Sequence, residues 1–286
     1  MNYYHVDVFS DKKFSGNGLT VFMDEQGWDR KFMQILTQEM RQFESIFFRK
    51  TGANDFRAFI FTTEEELDFA GHPIIGGAAI LHDLYSPEMV ENTWRIELNK
   101  KSVEVNTYKR DGIYSAKMNQ GKPEFIKTLS EDEAEKMLDF LNLKRDDNYK
   151  KLPCQVISTG LPYLILPVNA SALQKVKVTV SDLENELSGI GAKFFFVLDI
   201  ENRQGRTWDN KGLVEDIATG SAAGPVGAYL VEHGIESENT EIILKQGEFL
   251  NRPSRLKVLV TKEKEGYGEI FVEGDVCKIA TGSLVT

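Results

Sequence analysis

Residues 67–81 read LDFAGHPIIGGAAIL, and this stretch decides the fold of the chain. It begins as a short strand-like run, breaks at Gly71 and continues with small and apolar residues, among which Pro73 predicts the first turn of a helix. The first N–H groups of a helix have no partner within it, and the helix dipole adds positive potential there. The sequence therefore predicts a helix start that can bind an anion.

A second stretch repeats this design in the other half of the chain. Residues 216–230 read DIATGSAAGPVGAYL, and Gly220 lies 149 residues after Gly71. The same offset pairs His72 with Ser221. Two such copies indicate two similar lobes that share one site, with Gly71 and Gly220 facing each other across a cleft. Two unrelated strand-to-helix turns in an α+β protein would explain the spacing equally well.

Composition bounds the class of protein and its partners. The 286 residues are 41% hydrophobic and 27% charged, which is typical of a globular protein with a full core. A net charge of −10 and a pI near 5.1 argue against nucleic acid or an anionic membrane as partner. The N-terminus lacks a hydrophobic signal core and no apolar run is long enough to span a bilayer, so we expect a cytoplasmic protein.

The residues that bind metals and cofactors are few and scattered. The two cysteines, Cys154 and Cys277, match no metal or redox spacing, and the four histidines lie in unrelated contexts. No Walker-type loop or Rossmann glycine fingerprint is present. The sequence therefore predicts no metal and no cofactor.

Each half of the chain contains many short strands and one helix that is apolar on most sides. Such a helix must be surrounded, and strands wrapped around it would do so. We therefore expect an α+β fold with an N-terminal lobe at 1–118 and a C-terminal lobe at 119–286. Whether the last strand returns to the N-terminal lobe is left open.

One carboxylate lies in apolar surroundings. Ser45–Phe48 reads as a strand, and Glu44 lies where a preceding helix gives way to it. Burial there would disfavour the charged form and raise the basicity of Glu44; a side chain that reaches solvent at the joint is the alternative. Apolar residues at steps of three and four predict the preceding helix from about Asp29, with a core face formed by Phe32, Ile35, Leu36, Met40 and Phe43.

Five motifs, in order along nearly the whole chain, resemble those of the PhzF-like family, which is named for phenazine biosynthesis and shares the fold of diaminopimelate epimerases. Each motif is weak alone, but their order is specific. They are the opening Asp7-Val8-Phe9 with Phe14-Ser15-Gly16-Asn17, then Phe43-Glu44-Ser45-Ile46-Phe47, Phe69-Ala70-Gly71-His72-Pro73, Glu215-Asp216 with Thr219-Gly220-Ser221-Ala222, and Gln246-Gly247 with Arg252-Pro253-Ser254.

This resemblance implies two barrel-like lobes, each a mixed sheet around a central helix, with the active site in the cleft between them. It also implies a homodimer and catalysis without metal or cofactor. The matched glutamate of the phenazine enzyme moves a proton along a dihydro-hydroxyanthranilate ring, so the implied activity is a cofactor-independent isomerisation of a small cyclic or unsaturated carboxylate.

The resemblance also assigns roles to individual residues. Glu44 would be the acid/base, and Asp216 and His72 would assist proton transfer and hold the substrate. The substrate-binding residues would be Gly71, Gly220, Ser221 and Asn17.

The chain departs from the family's usual motifs at several positions, so the pocket lining is expected to differ. They are Gly18, Phe43, Ile217 and the run Ala222-Ala223-Gly224.

Two other functions remain open from the sequence. An amino-acid or hydroxy-acid racemase or epimerase is the first, although the epimerase relatives use two facing cysteines at the positions that His72 and Ser221 occupy here. Neither cysteine of this chain lies at those turns. A non-catalytic protein that binds small molecules is the second.

Overall fold

A computed structural model describes residues 2–264 and 266–285. Its strands are β1 (Asn2–Val8), β2 (Asn17–Met23), β3 (Glu44–Lys50), β4 (Asp55–Thr62), β5 (Glu66–Leu67), β6 (Glu91–Glu97), β7 (Ser102–Arg110), β8 (Ile113–Gly121), β9 (Glu124–Thr128), β10 (Gln155–Ser158), β11 (Pro162–Val168), β12 (Phe194–Asp199), β13 (Gln204–Arg206), β14 (Glu241–Gln246), β15 (Ser254–Glu263) and β16 (Gly266–Ser283). Its helices are α1 (Arg30–Met40), α2 (Gly71–Tyr85), α3 (Glu131–Phe140), α4 (Ala170–Leu173), α5 (Leu183–Gly189) and α6 (Gly220–Glu232).

Contacts divide the chain into two compact units. The first contains the residues up to Asn119, the short segment Asn251–Arg255 and the residues from Glu273 onward. The second contains Gln120–Leu250 and Leu256–Val272. Each unit combines strands with one buried helix, so the expected α+β class is confirmed.

The strands of the first unit close into a barrel of eight. Hydrogen bonding runs in the order β1-β2-β3-β4-β6-β7-β8-β16, and β16 also pairs with β1. The β2–β3 and β4–β6 pairs are parallel. Closure leaves no free edge in this set of strands, which removes the usual route to edge-to-edge aggregation.

Helix α2 packs against β1, β2, β3 and β7 of this barrel. The run from Gly71 to His82 is buried without interruption, which is the burial expected of a helix that is apolar all round. Small residues allow the close approach: a methyl group on Gly76 would lie 2.6 Å from Cγ2 of Val8 and 2.7 Å from Cδ2 of Leu19. The helix begins at Gly71 and not at Pro73. As the third helical residue, Pro73 is tolerated because the first four N–H groups of a helix need no helical partner.

Helix α1 covers the outer face of β2, β3 and β4 with a cluster that includes Phe22, Phe47 and Phe61. The expectation that Ile35 and Phe43 belong to its core face is wrong: they are 50% and 44% exposed. The helix ends at Met40, and Arg41 adopts a left-handed conformation (φ 54°) that breaks the helical period before Phe43.

The second unit is a mixed sheet in the order β16-β15-β14-β13-β12-β11-β10-β9, with parallel pairs at β11–β12 and β13–β14. Helix α6 packs against β10 and β11 and is buried except at Ser221 and Glu232. A methyl group on Gly227 would lie 2.6 Å from Cγ1 of Val258 in β15. The two units therefore repeat one design, in which strands surround a helix of small residues.

Candidate active site

Glu44 and His72 form a buried pair in the first unit. Glu44 is the first residue of β3 and His72 the second residue of α2, and each is only 6% exposed. Nδ1 of His72 lies 3.2 Å from Oε2 of Glu44. Of the two possibilities that the sequence leaves for Glu44, burial is therefore the one observed.

Burial lowers the pKa of His72 from 6.5 to about 3, while the backbone of Gly18 acts in the opposite direction. The imidazole is therefore neutral near pH 7 and carries a single N–H. Because its hydrogen bond with the backbone of Gly18 raises the pKa, the Gly18 carbonyl accepts that N–H, and we place the proton on Nδ1. The contact of Nδ1 with Oε2 of Glu44 lacks hydrogen-bond geometry. Nε2 then keeps a lone pair, and it has no hydrogen-bond partner among the described residues.

The turn before β2 lies next to this pair. In the parallel β2–β3 ladder Leu19 is registered with Glu44, so Asn17, at the start of β2, lies two residues from the Glu44 position. Asn17 is 1% exposed. The family resemblance assigns four of these residues to one site: Glu44, His72, Gly71 and Asn17. The structure places all four in the first unit.

A partly buried ion pair holds this turn. The carboxylate of Asp7 accepts hydrogen bonds from Nη2 of Arg252 (2.6 Å) and from the backbone N–H of Phe14 (2.7 Å). Nε of Arg252 donates to the carbonyl of Gly16 at 2.9 Å. The first and last of the five sequence motifs are therefore joined by Arg252.

Neither helix start carries a side-chain cap. The N-cap residues are Ala70 for α2 and Thr219 for α6, and neither side chain bonds the N–H groups of its own helix. By contrast, Asp29 and Ser130 cap α1 and α3 in the usual way. Both glycine-led helices thus keep the positive N-terminal potential that the sequence predicts for anion binding.

A hydrogen-bonded turn places Asp216 in the second unit. The hydroxyl of Thr219 donates to Oδ2 of Asp216 at 2.6 Å. Gln246, 1% exposed at the end of β14, bonds both residues through its amide. Asp216 is therefore fixed beside the start of α6.

Gly220 and Ser221 form the first turn of α6. The Ser221 hydroxyl lies 2.7 Å from the phenol oxygen of Tyr163, which is 3% exposed. The carbonyl of Gly220 accepts a hydrogen bond from Nε2 of Gln120 at 2.8 Å. Gly224 is needed in the same region, because a methyl group there would lie 2.3 Å from Oε1 of Gln120.

Four polar residues around this turn were not predicted as site residues from the sequence: Gln120, Tyr163, Thr219 and Gln246. Thr219 and Gln246 stand in recognised motifs, which was the available signal. Gln120 and Tyr163 carried none, because only sheet pairing brings them to α6.

No group of three or more His, Cys, Asp or Glu side chains able to hold a metal ion occurs within residues 2–264 and 266–285. In the same residues no helix is long and apolar enough to cross a bilayer. Cys154 is packed in a hydrophobic core cluster that includes no residue of either glycine turn. Burial raises the pKa of the Cys154 thiol to about 12, and Cys277 lies in β16.

Comparison with known protein families identifies the family of this chain. The model of the phenazine biosynthesis-like protein family matches residues 6–282. The chain belongs to this family. The resemblance seen in the five sequence motifs is thereby confirmed.

Three relatives illustrate the range of the family. A structure described as a predicted epimerase from Pseudomonas aeruginosa is 45% identical, with a TM-score of 0.93 over 100% of this chain and 99% of its own. An uncharacterized isomerase, YddE, of Salmonella typhimurium is 30% identical over 274 residues, or 90% of this chain and 89% of its own. The trans-2,3-dihydro-3-hydroxyanthranilate isomerase of Pseudomonas chlororaphis is 26% identical over 297 residues, which covers 99% of both chains.

Proposed function

We propose that this protein is a cofactor-independent isomerase that moves a proton on a small cyclic or unsaturated carboxylate, in the manner of trans-2,3-dihydro-3-hydroxyanthranilate isomerase. The observation that carries the proposal is the contact of the buried Glu44 carboxylate with the neutral imidazole of His72. Family membership and relatives named as isomerases support it.

Glu44 is the acid/base in this proposal. The ionised carboxylate takes a proton from a C–H carbon activated by the conjugated carboxylate, and the electron pair of that bond shifts the double bond. The protonated Glu44 then returns the proton to a different carbon, so that no atom is gained or lost. A base held near the reacting carbon contributes roughly 10²–10⁴-fold to the rate of such a step.

His72 gives that base an uncharged neighbour. Nδ1 lies 3.2 Å from Oε2 without hydrogen-bond geometry, and a neutral imidazole adds no positive charge that would stabilise the carboxylate and lower its basicity. Nε2, buried and without a partner in the described part of the chain, is then an acceptor for a hydroxyl or amine of the substrate.

The carboxylate of the substrate needs donors, and the uncapped start of α6 offers them. The backbone N–H and the hydroxyl of Ser221 are the proposed contacts. Donors already in place stabilise the negative charge that develops during proton removal, and this stabilisation commonly contributes more to catalysis than any other single effect.

We also retain the homodimer as a proposal, to be tested by light scattering.

A racemase or epimerase is the second candidate, because the relative with 45% identity is described as a predicted epimerase. A two-thiol mechanism is not supported by the placement of Cys154, which is 1% exposed and packed in a hydrophobic core cluster of the second unit. A racemase built on Glu44 would need a second base on the other side of the substrate carbon.

One experiment separates these functions. The protein is incubated in D₂O with trans-2,3-dihydro-3-hydroxyanthranilate and, separately, with a panel of L-amino and L-hydroxy acids, and the reactions are followed by proton NMR. An isomerase yields a positional isomer, with deuterium on the new carbon wherever the proton on Glu44 exchanges with solvent before its return, whereas a racemase yields the mirror image with deuterium on the original carbon. Binding without a positional isomer or deuterated substrate in any mixture would contradict both.

A further inference from the structure

Gln246 makes three hydrogen bonds to a single turn, two of them buried and one partly buried. Its Nε2 donates to the backbone carbonyl of Asp216 at 2.9 Å and to Oγ1 of Thr219 at 2.9 Å. Its Oε1 accepts from the backbone N–H of Thr219 at 3.0 Å. One side-chain amide therefore holds both ends of the segment from Asp216 to Thr219.

The orientation of this amide is fixed by its partners. A backbone N–H can only donate and a backbone carbonyl can only accept. Oε1 must therefore face the N–H of Thr219, and Nε2 must face the carbonyl of Asp216. The reversed amide would place two donors together and two acceptors together.

The hydroxyl proton of Thr219 is directed by the same logic. Because Oγ1 accepts a hydrogen from Gln246, its own proton is free to point away from that amide. Oδ2 of Asp216 lies 2.6 Å away and accepts it. Thr219 is the N-cap residue of α6, yet its hydroxyl does not cap the helix. The side chain serves the carboxylate and not the helix.

We propose that Gln246 is a positioning residue, which directs the hydroxyl proton of Thr219 onto the Asp216 carboxylate so that Asp216 acts towards the substrate as a hydrogen-bond acceptor and not as a proton donor. The inference rests on the proposed function, because it assigns the proton shuttle to Glu44 and substrate orientation to Asp216. It adds a chemical requirement: the substrate must present a hydroxyl or amine to Asp216.

The neighbouring charges do not reverse this arrangement. Glu215, one residue before Asp216, is held by Arg206 through two hydrogen bonds of 2.7 Å. Arg206 also lies 4.4 Å from the ring centroid of Trp208. Arg206 and Glu215 bond each other, so a substitution at Thr219 removes neither partner of this ion pair.

The decisive experiment needs no substrate, so its failure is distinguishable from failure of the proposed isomerase activity. The full chain is labelled with [4-¹³C]aspartate, and the carboxyl resonance of Asp216, assigned with Asp216→Asn, is followed against pH in wild type, Thr219→Val and Thr219→Ser. Valine has the shape of threonine without the hydroxyl, and serine keeps the hydroxyl.

A hydrogen bond to the charged form stabilises that form. In Thr219→Val the titration midpoint of Asp216 should therefore rise by about 1–2 pH units, from the usual strength of a bond to a charged group. In Thr219→Ser it should stay close to the wild-type value. An equal midpoint in wild type and Thr219→Val would overturn the proposal.

The role of Gln246 has its own readout in the same proteins. The side-chain ¹⁵N–H resonances of Gln246, assigned by triple-resonance spectra, should move in Thr219→Val, which lacks the oxygen to which the amide donates, and return in Thr219→Ser. In Gln246→Met, which lacks the donor, the Asp216 midpoint should also rise. An amide that does not respond to Thr219→Val would show that Gln246 does not orient the hydroxyl.

Discussion

Nδ1 of His72 lies 3.2 Å from Oε2 of Glu44, and the two side chains are buried to the same degree, 6% exposed each. A carboxylate and a neutral imidazole in contact and away from water form a pair in which the carboxylate can exchange a proton while the imidazole stays uncharged. Four predictions concern this pair and the two buried helices.

Glu44→Gln should abolish turnover while leaving the fold intact. Glutamine keeps the size of the side chain but cannot accept a proton, so the rate should fall by roughly 10²–10⁴-fold. Formation of the positional isomer of trans-2,3-dihydro-3-hydroxyanthranilate, followed by proton NMR, measures the loss, and the melting temperature checks the fold. Asp216→Asn, the comparison variant, should reduce isomer formation less. Isomer formation at the wild-type rate in Glu44→Gln would move the base to Asp216 or His72.

Acid should destabilise the wild-type protein more than a His72→Asn variant. The pKa of His72 is about 3 in the folded protein and 6.5 in the unfolded chain, so between these values the unfolded chain binds the extra proton. The contribution of neutral His72 is complete above pH 6.5 and is lost as the pH falls towards 3, with a slope of up to about 1.4 kcal/mol per pH unit.

Urea unfolding of both proteins at pH 7.5, 6, 5 and 4 measures this difference. The free energy of unfolding of the wild type should fall faster than that of His72→Asn below pH 6.5. Curves that run parallel down to pH 4 would show that His72 titrates alike in both states.

Gly76→Ala should destabilise the first unit although alanine is the better helix former. The added methyl group would lie 2.6 Å from Cγ2 of Val8 and 2.7 Å from Cδ2 of Leu19, and overpacking of this kind costs about 1–3 kcal/mol. Gly189→Ala in α5 is the matched control: its methyl group meets nothing within 4 Å, so it should be neutral or stabilise by up to about 1 kcal/mol. Chemical unfolding compares them, and equal effects would contradict close packing of α2.

Gly71 and Gly220 should report the same ligand, as the sequence repeat predicts. A protein labelled with [¹⁵N]glycine is titrated with 3-hydroxyanthranilate, the aromatic analogue of the substrate named for the Pseudomonas chlororaphis relative. The amide resonances of both glycines should shift with one dissociation constant. Two different dissociation constants, or a shift of only one of the two resonances, would argue for two separate sites.

The sequence predicts the buried helices well and the polar contacts around them poorly. The unbroken apolar run from Gly71 to His82 leaves few alternatives to a surrounded helix. The burial of Glu44, however, depends on pairing with Leu19 and Thr62, neither of which is adjacent in the chain. The turn at Arg41 exposes Phe43, and no proline or glycine near it predicts the end of the helix from the sequence.

The support of Asp216 shows the same limit. Gln246 lies 30 residues after Asp216, and its three hydrogen bonds arise only once β14 lies beside the turn. A motif can mark such a residue, but it does not say which atoms the residue binds. Local periodicity fixes elements, while polar networks depend on the tertiary pairing that brings distant strands together.

The closure of the first barrel by β16 has a consequence for synthesis on the ribosome. Asn2 is registered with Ser283 and Val8 with Val276. Strand β1 therefore cannot pair with β16 until the end of the chain has been synthesised. Domains usually complete folding from the N-terminus as the chain emerges at about 5–20 residues per second. Here the order is reversed: residues 120–250 of the second unit are already made when the first can close. Until then β1 exposes an unpaired edge, and a nascent chain that stalls before residue 276 is the form most prone to aggregate.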